Sequence, residues 1–233
     1  MGSPALKTVS MSGTPSLLRI SLAITLAAVA IACQLDAGTL SEATVPYYNT
    51  PDFTPVWLAD PAEADQKITH RIADFSFRDQ TNQLVTQETV AGKIYVANFF
   101  FTSCPTVCPK MTSLLKAVQD TFRKEPKVAL LSFSVTPWID SIPRLRRYAD
   151  SKGVIAGKWH LLTGGRSQLY TLARQSYFAE DAIGFTKDST EFLHTEHLIL
   201  VDQQRRIRGV YNGTQPLEID KLIADIRVLL PVE

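Results

Sequence analysis

Residues 94–109 read Ile-Tyr-Val-Ala-Asn-Phe-Phe-Phe-Thr-Ser-Cys-Pro-Thr-Val-Cys-Pro. The first eight form a near-continuous apolar run, the pattern of a central strand buried on both faces. Beyond Pro109, apolar residues stand at Met111, Leu114, Leu115, Val118 and Phe122, offsets of 3, 4, 7 and 11 that belong to a helix. The stretch therefore predicts a buried strand that runs into a helix, with Cys104 and Cys108 at the junction.

Working outward, Val128–Val135 reads as a second buried strand. Ser141–Asp150, with Pro143 early and Gly153 beyond it, carries the end signals of a helix. Trp159–Thr163 is a short extended piece, and Ser167–Gln175 has Leu169, Leu172 and Ala173 at helical offsets. Leu198–Asp202 and Ile207–Tyr211, joined through Gln203–Arg206, predict a hairpin. Ile219, Leu222, Ile223, Ile226 and Leu230 mark a closing helix. Upstream, Asp74–Phe77 and Leu84–Thr86 predict an N-terminal β-hairpin. Parallel crossovers followed by an antiparallel hairpin and a helix make an α/β, thioredoxin-like order: a central mixed sheet with flanking helices.

The chain has 233 residues, 45% hydrophobic and 20% charged, with net charge +1. That is room for one domain plus appendages, and the charge balance gives no reason to expect nucleic acid as a partner. Before Asp36 there is no acidic residue, and after Arg19 a run of thirteen small and apolar residues leads to Cys33. Thirteen helical residues reach roughly 20 Å, short of a bilayer core of about 30 Å, which suits an export signal. Ala30-Ile-Ala-Cys33 resembles a bacterial lipoprotein signal, in which Cys33 becomes the lipidated N-terminus; an uncleaved anchor is the alternative. Either way the expected location is the cell envelope, membrane-anchored and facing the periplasm or an equivalent exported side, where cysteine pairs can oxidise. Residues 1–33 are thus read as the signal, 34–66 as a linker with an aromatic segment, and 67–233 as the domain. The linker carries Pro46, Pro51, Pro55 and Pro61 with Tyr47-Tyr48, Phe53 and Trp57 between them. It reads as a tether whose aromatic part packs on the domain, or as a bare solvated one.

At a helix start, unpaired backbone N–H groups stabilise a thiolate, the form of cysteine that is both nucleophile and metal ligand. Pro109 disfavours a helical Cys108, so both sulfurs are expected on the entry loop, within reach of each other. A purely structural disulfide closing so short a loop would contribute roughly 2 kcal/mol against almost 5 for a 100-residue loop, little for a domain of this size. Redox exchange and metal binding remain. Exchange pairs in this kind of domain are usually spaced Cys-x-x-Cys, and here three residues intervene. Soft sulfur donors favour Cu(I), and imidazole suits either copper valence. Of four histidines, His70 and His160 read as packing or surface residues. His194 and His197 precede the Leu198–Asp202 strand, where thioredoxins place a cis-proline against the cysteine loop; none lies between Lys187 and Asp202.

Phe100-Phe-Thr-Ser-Cys-Pro-Thr-Val-Cys-Pro109 resembles the Sco/SenC motif F-x-x-C-P-x-x-C-P, and Leu193-His-Thr before the strand ending at Asp202 resembles that family's second motif. The resemblance runs from about Tyr47 to Leu230. It implies a copper site, Cu(I) or Cu(II), held by Cys104, Cys108 and His194, with the two cysteines also a redox-active pair. His197, three residues late, would be surface-facing or lie behind the ligands. It implies a metallochaperone or thiol reductase serving the copper-bearing subunit of cytochrome c oxidase, in exchange with a copper donor or thiol reductant protein. A cell-envelope thiol-disulfide oxidoreductase without bound copper is the other reading, so enzymatic activity stays open. One departure stands out: where the family usually has S-x-D-P-x-x-D, this chain has Ser134-Val-Thr-Pro-Trp-Ile-Asp140, with Thr136 in place of the first acid.

Overall fold

The structure is a computed structural model, and it describes residues 44–179 and 195–230 together with Gly2. Apart from Gly2, residues 1–33, read above as an export signal, and Cys33 with them, lie outside the described residues. Among the described residues no helix is long and apolar enough to cross a membrane.

Strands β5 (Ile94–Phe100) and β6 (Val128–Ser134) are buried at every position and run parallel in register Ile94 to Val128. Full burial follows from their place in the sheet. β6 lies between β5 and β7 (Trp159–Leu162), and β5 between β6 and β8 (His197–Val201). β8 is antiparallel to β5 and pairs antiparallel with β9 (Ile207–Asn212), so the sheet is mixed, as the element order predicts.

Because side chains alternate along a strand, the central residues divide between two cores. Ile94, Val96 and Phe100 face one, packed by helices α2 (Val107–Thr121), α3 (Ile142–Lys152) and α5 (Pro216–Leu229). The buried residues of α2 are Cys108, Met111, Thr112, Leu115, Val118 and Gln119, a single stripe down the helix. Tyr95, Ala97 and Phe99 face the other core. It is closed by α4 (Arg166–Thr171), a π-helical turn at Leu172–Ser176, and a separate hairpin of β3 (Ser76–Arg78) and β4 (Leu84–Thr86). Gly153, with φ of 69°, ends α3 in the left-handed conformation that a side chain would strain.

Residues 44–66, grouped with the linker in the sequence reading, add two short strands to the main sheet. β1 (Tyr47–Tyr48) pairs with β9, and β2 (Pro55–Val56) pairs with β1. Arg208 fixes this arm. Its guanidinium donates to the Val45 and Pro46 carbonyls at 2.6 and 3.0 Å and lies 3.8 Å from the centre of the Tyr47 ring. The short helix α1 (Ala64–Lys67) follows, and Asp65 on it pairs with Arg206.

Candidate metal centre

The apolar run of β5 delivers the chain to a loop that begins at Phe101, and α2 starts six residues later. Cys104 sits on that loop half-buried, while Cys108 is buried inside the first turn of α2. This corrects the expectation that both sulfurs would lie on the entry loop. Pro109 is the third residue of the helix, where its missing N–H is one of the groups a helix leaves unpaired anyway. Thr106 at the N-cap makes no side-chain cap. The sulfur of Cys104 takes that place and accepts the Cys108 N–H at 3.3 Å.

The two thiols differ accordingly. Burial pushes the Cys104 thiol up, but N–H groups of Cys108, Thr106 and Val107 and the Cys108 thiol outweigh it, leaving it below its ordinary value. Burial raises Cys108 to about 12, opposed by a backbone hydrogen bond at Phe101 and reinforced by the neighbouring Cys104 and Asp140. The result is a half-buried thiol that ionises more readily than the buried one beside it.

Ser134, Thr136 and Asp140, from the segment whose departure at Thr136 the sequence shows, belong to a network that holds the loop in place. Asp140 is fully buried and accepts hydrogen bonds from Ser134 Oγ at 2.6 Å, Thr136 Oγ1 at 3.0 Å and the Thr102 N–H at 3.2 Å. The Thr102 hydroxyl also donates to it, and accepts in turn from Arg144 Nε at 2.6 Å. Asp140 thus ties the end of β6 to the residue two before Cys104. Thr136, where the family pattern has an acid, serves that acid as a donor. Tyr148 of α3 is the other neighbour. Its hydroxyl bonds Thr112, one turn beyond Cys108, and burial raises its pKa, with both cysteines adding to the rise.

Two histidines are engaged elsewhere: His70 Nε2 with the Ser176 carbonyl at 2.8 Å, and His160 Nδ1 with Asp79 at 2.8 Å. His197 begins β8. Its neighbours Leu198 and Leu200 share the core of Cys108, so alternation turns the His197 ring to the opposite face, edge-on to Phe53 at 5.9 Å. His194 lies outside the described residues. The residues just after it are placed: a Cβ on Gly213 would stand 2.6 Å from Met111 Cγ, 2.9 Å from Leu198 Cγ and 3.0 Å from the Glu196 carbonyl. The entry to β8 therefore packs beside the α2 turn that follows Cys108. The described residues by themselves contain no group of three His, Cys, Asp or Glu that could hold a metal ion. Two adjacent sulfurs, one with its pKa lowered, are a soft donor pair that suits Cu(I).

The model of the SCO1/SenC family matches residues 63–230. A solved structure described as a SCO1/SenC family lipoprotein from Bacillus anthracis is 25% identical, with a TM-score of 0.60 over 70% of this chain and 96% of that one. The structure of BsSco, described as having a disulfide switch and as a member of the Sco family of cytochrome c oxidase assembly proteins, is 28% identical. Its TM-score is 0.57 over 68% of this chain and 92% of that one. Bradyrhizobium japonicum ScoI, solved with copper bound, shares the fold at 24% identity, with a TM-score of 0.51 over 68% of this chain and 98% of that one.

Proposed function

The chain belongs to the SCO1/SenC family, and from that premise we propose that it is an exported copper-handling protein that assists assembly of the copper site of a cytochrome c oxidase. The observation that carries this reading is the dithiol itself, with a Cys104 whose pKa is lowered accepting the N–H of a buried Cys108 at the head of α2. Cys104, Cys108 and His194 would hold copper as cargo, the thiolates as soft donors and the imidazole as a donor for either valence. Exchange of the two thiolates with a partner disulfide would oxidise the pair to a disulfide and pass two electrons to the partner, whose two sulfurs leave as thiolates and take protons from solvent; two donors are removed and the ion is released. The copper in the ScoI relative and the disulfide switch in BsSco support these two halves of the cycle.

The test is anaerobic copper titration of the fully reduced protein. Wild type should take up one tight equivalent, and His194→Ala should weaken it by more than about tenfold while leaving thiol reactivity in place. Absence of tight binding in both proteins would leave the second reading, a dithiol oxidoreductase without copper. That reading draws on the same asymmetry, because a part-exposed thiol of lowered pKa before a buried thiol of raised pKa is an attacking and resolving pair.

We also propose that Cys33 carries a lipid that anchors the protein to the membrane on the exported side, a reading supported by the lipoprotein description of the B. anthracis relative. Cys33→Ser should then move the protein from the membrane to the soluble envelope fraction with its copper binding intact. Retention in the membrane would point to an uncleaved anchor instead.

A further inference from the structure

The turn that follows β6 carries large apolar side chains outward. The Ile139 and Asp140 N–H groups both bond the Thr136 carbonyl at 2.8 Å, closing the turn around Pro137 and Trp138. Trp138 is 56% exposed and Ile139 41%. Arg166 lies over the Trp138 ring, 4.9 Å from its centre, and braces it. Beside the turn runs a groove lined by Phe77 of β3, Leu84 of β4, Pro137, Ile142 at the head of α3 and Gly164 after β7. Leu84 is itself 57% exposed. The walls are fixed to one another. Arg78 and Thr163 exchange both backbone hydrogen bonds, at 3.1 and 2.9 Å, and a Cβ on Gly164 would stand 2.6 Å from Phe77 Cδ1. A preformed apolar groove beside an exposed, braced tryptophan has the makeup of a docking site for another chain.

Its charge is one-sided. Arg78 lines the groove, and Arg146 stands one turn along α3 from Ile142. Arg78 donates to the Asn82 carbonyl at 2.9 Å and Arg146 to the Gln80 carbonyl at 3.2 Å, so among the described residues neither is paired with a carboxylate. No acid lines the groove among the described residues. Asp79 and Asp140, which adjoin its walls in sequence, are buried and bonded inside the fold. Guanidinium groups without carboxylates, set beside apolar surface, select an acidic visitor and repel a basic one. The same turn is bonded to the cysteine loop, because Asp140 at its end holds Thr102, two residues before Cys104. A concave lining that includes the buried Phe77 suits an inserted side chain, which a flat lipid surface does not offer.

We propose that this groove, with Trp138 at its edge, docks an acidic segment of the protein that exchanges with Cys104. An apolar side chain of that segment enters the groove while its carboxylates meet Arg78 and Arg146. That the visitor is the exchange partner rests on the dithiol reading above; the preference for an acidic, apolar segment rests on the groove alone.

The probes are two short labelled peptides with the same Phe-Leu centre, one flanked by glutamates and the other by lysines. Each is titrated by fluorescence anisotropy against the reduced, metal-free, full-length protein in neutral detergent. Wild type should bind the glutamate peptide at least about tenfold more tightly than the lysine peptide, with the gap shrinking as salt is raised. Leu84→Glu alters an exposed side chain, so the urea midpoint should hold while the glutamate peptide weakens about tenfold. Trp138→Ser should weaken both peptides severalfold. Both variants should reduce the small uncharged hydroxyethyl disulfide at the wild-type rate. Equal affinity for the two peptides, binding of neither, or either variant within about twofold of wild type overturns the proposal. So does an equal loss of rate with the small disulfide, which would mean that the cysteine loop itself had loosened. Displacement of the glutamate peptide by phosphatidylglycerol added to the micelles, but not by phosphatidylcholine, overturns it too, because the surface would then belong to lipid. If wild type does not reduce the small disulfide, the dithiol reading fails on that result alone, and the peptide affinities still decide the groove.

Discussion

Iodoacetamide at pH 7 should modify Cys104 of the reduced, metal-free protein about a hundred times faster than Cys108, since only the thiolate reacts. A thiol with a pKa of about 12 is ionised to about one part in 10⁵ at pH 7, whereas one below the ordinary 9.0 exceeds about one part in 100. The more basic thiolate is intrinsically the better nucleophile, by about 0.4–0.5 of a decade per pKa unit, so the thousandfold gap in population shrinks to about thirty- to sixtyfold in rate. Burial of Cys108 widens it again. As pH rises, the Cys104 rate should pass the midpoint of its climb below pH 9, whereas that of Cys108 should still be far below its own midpoint there. Peptide mapping by mass spectrometry separates the two sites. Equal rates, or Cys108 first, would remove the electrostatic basis of the proposed cycle. The same asymmetry predicts which cysteine a partner disulfide meets: Cys104 attacks and Cys108 resolves, so Cys108→Ser should accumulate mixed disulfide.

Much of this arrangement was legible before any coordinates. The apolar runs of β5 and β6 could be read because a strand buried on both faces leaves no polar position to blur the pattern. The stripe of α2 was equally plain, since one face meets the sheet. β1 and β2 are not legible: each is two residues long and flanked or begun by a proline, β1 is held by Arg208 from 162 positions away in sequence rather than by a local period, and β2 is held by pairing with β1. Cys108 joins the helix although Pro109 follows it, because the tolerance of proline in a first turn outweighs the restriction it places on its predecessor. Within the site, the cysteine spacing and the helix start announced a reactive pair. The division of labour between the two thiols was hidden, because it depends on which sulfur the folded loop turns toward the N–H groups.

Asp140→Ala should cost about 3–4 kcal/mol of folding stability, because a buried carboxylate that gathers several donors cannot be deleted without stranding them. Thr102, Ser134 and Thr136 all donate to it from within the fold, and Arg144 Nε lies 3.5 Å away. The Ser and Thr hydroxyls can turn toward other acceptors and recover part of the loss, which keeps the figure below the sum of the separate bonds. Asp140→Asn should cost less, about 1–2 kcal/mol. Its amide oxygen can take the place of Oδ2, which receives Ser134, Thr136 and the Thr102 N–H, and only the Thr102 hydroxyl loses its acceptor. Urea unfolding at pH 7 measures both variants, and a loss below about 1 kcal/mol for the alanine would show that the network is dispensable. The alkylation ratio separates a local role from a global one: with Thr102 released, the loop should hold Cys104 less firmly over the helix N–H groups, and Cys104 should slow even where the protein remains folded. Thr136 belongs to the same argument. A second acid at that position would face the carboxylate of Asp140 across the 3.0 Å that the hydroxyl now spans as a donor. In this chain the buried acid is therefore served by neutral donors, and its charge holds the loop instead of repelling a neighbour.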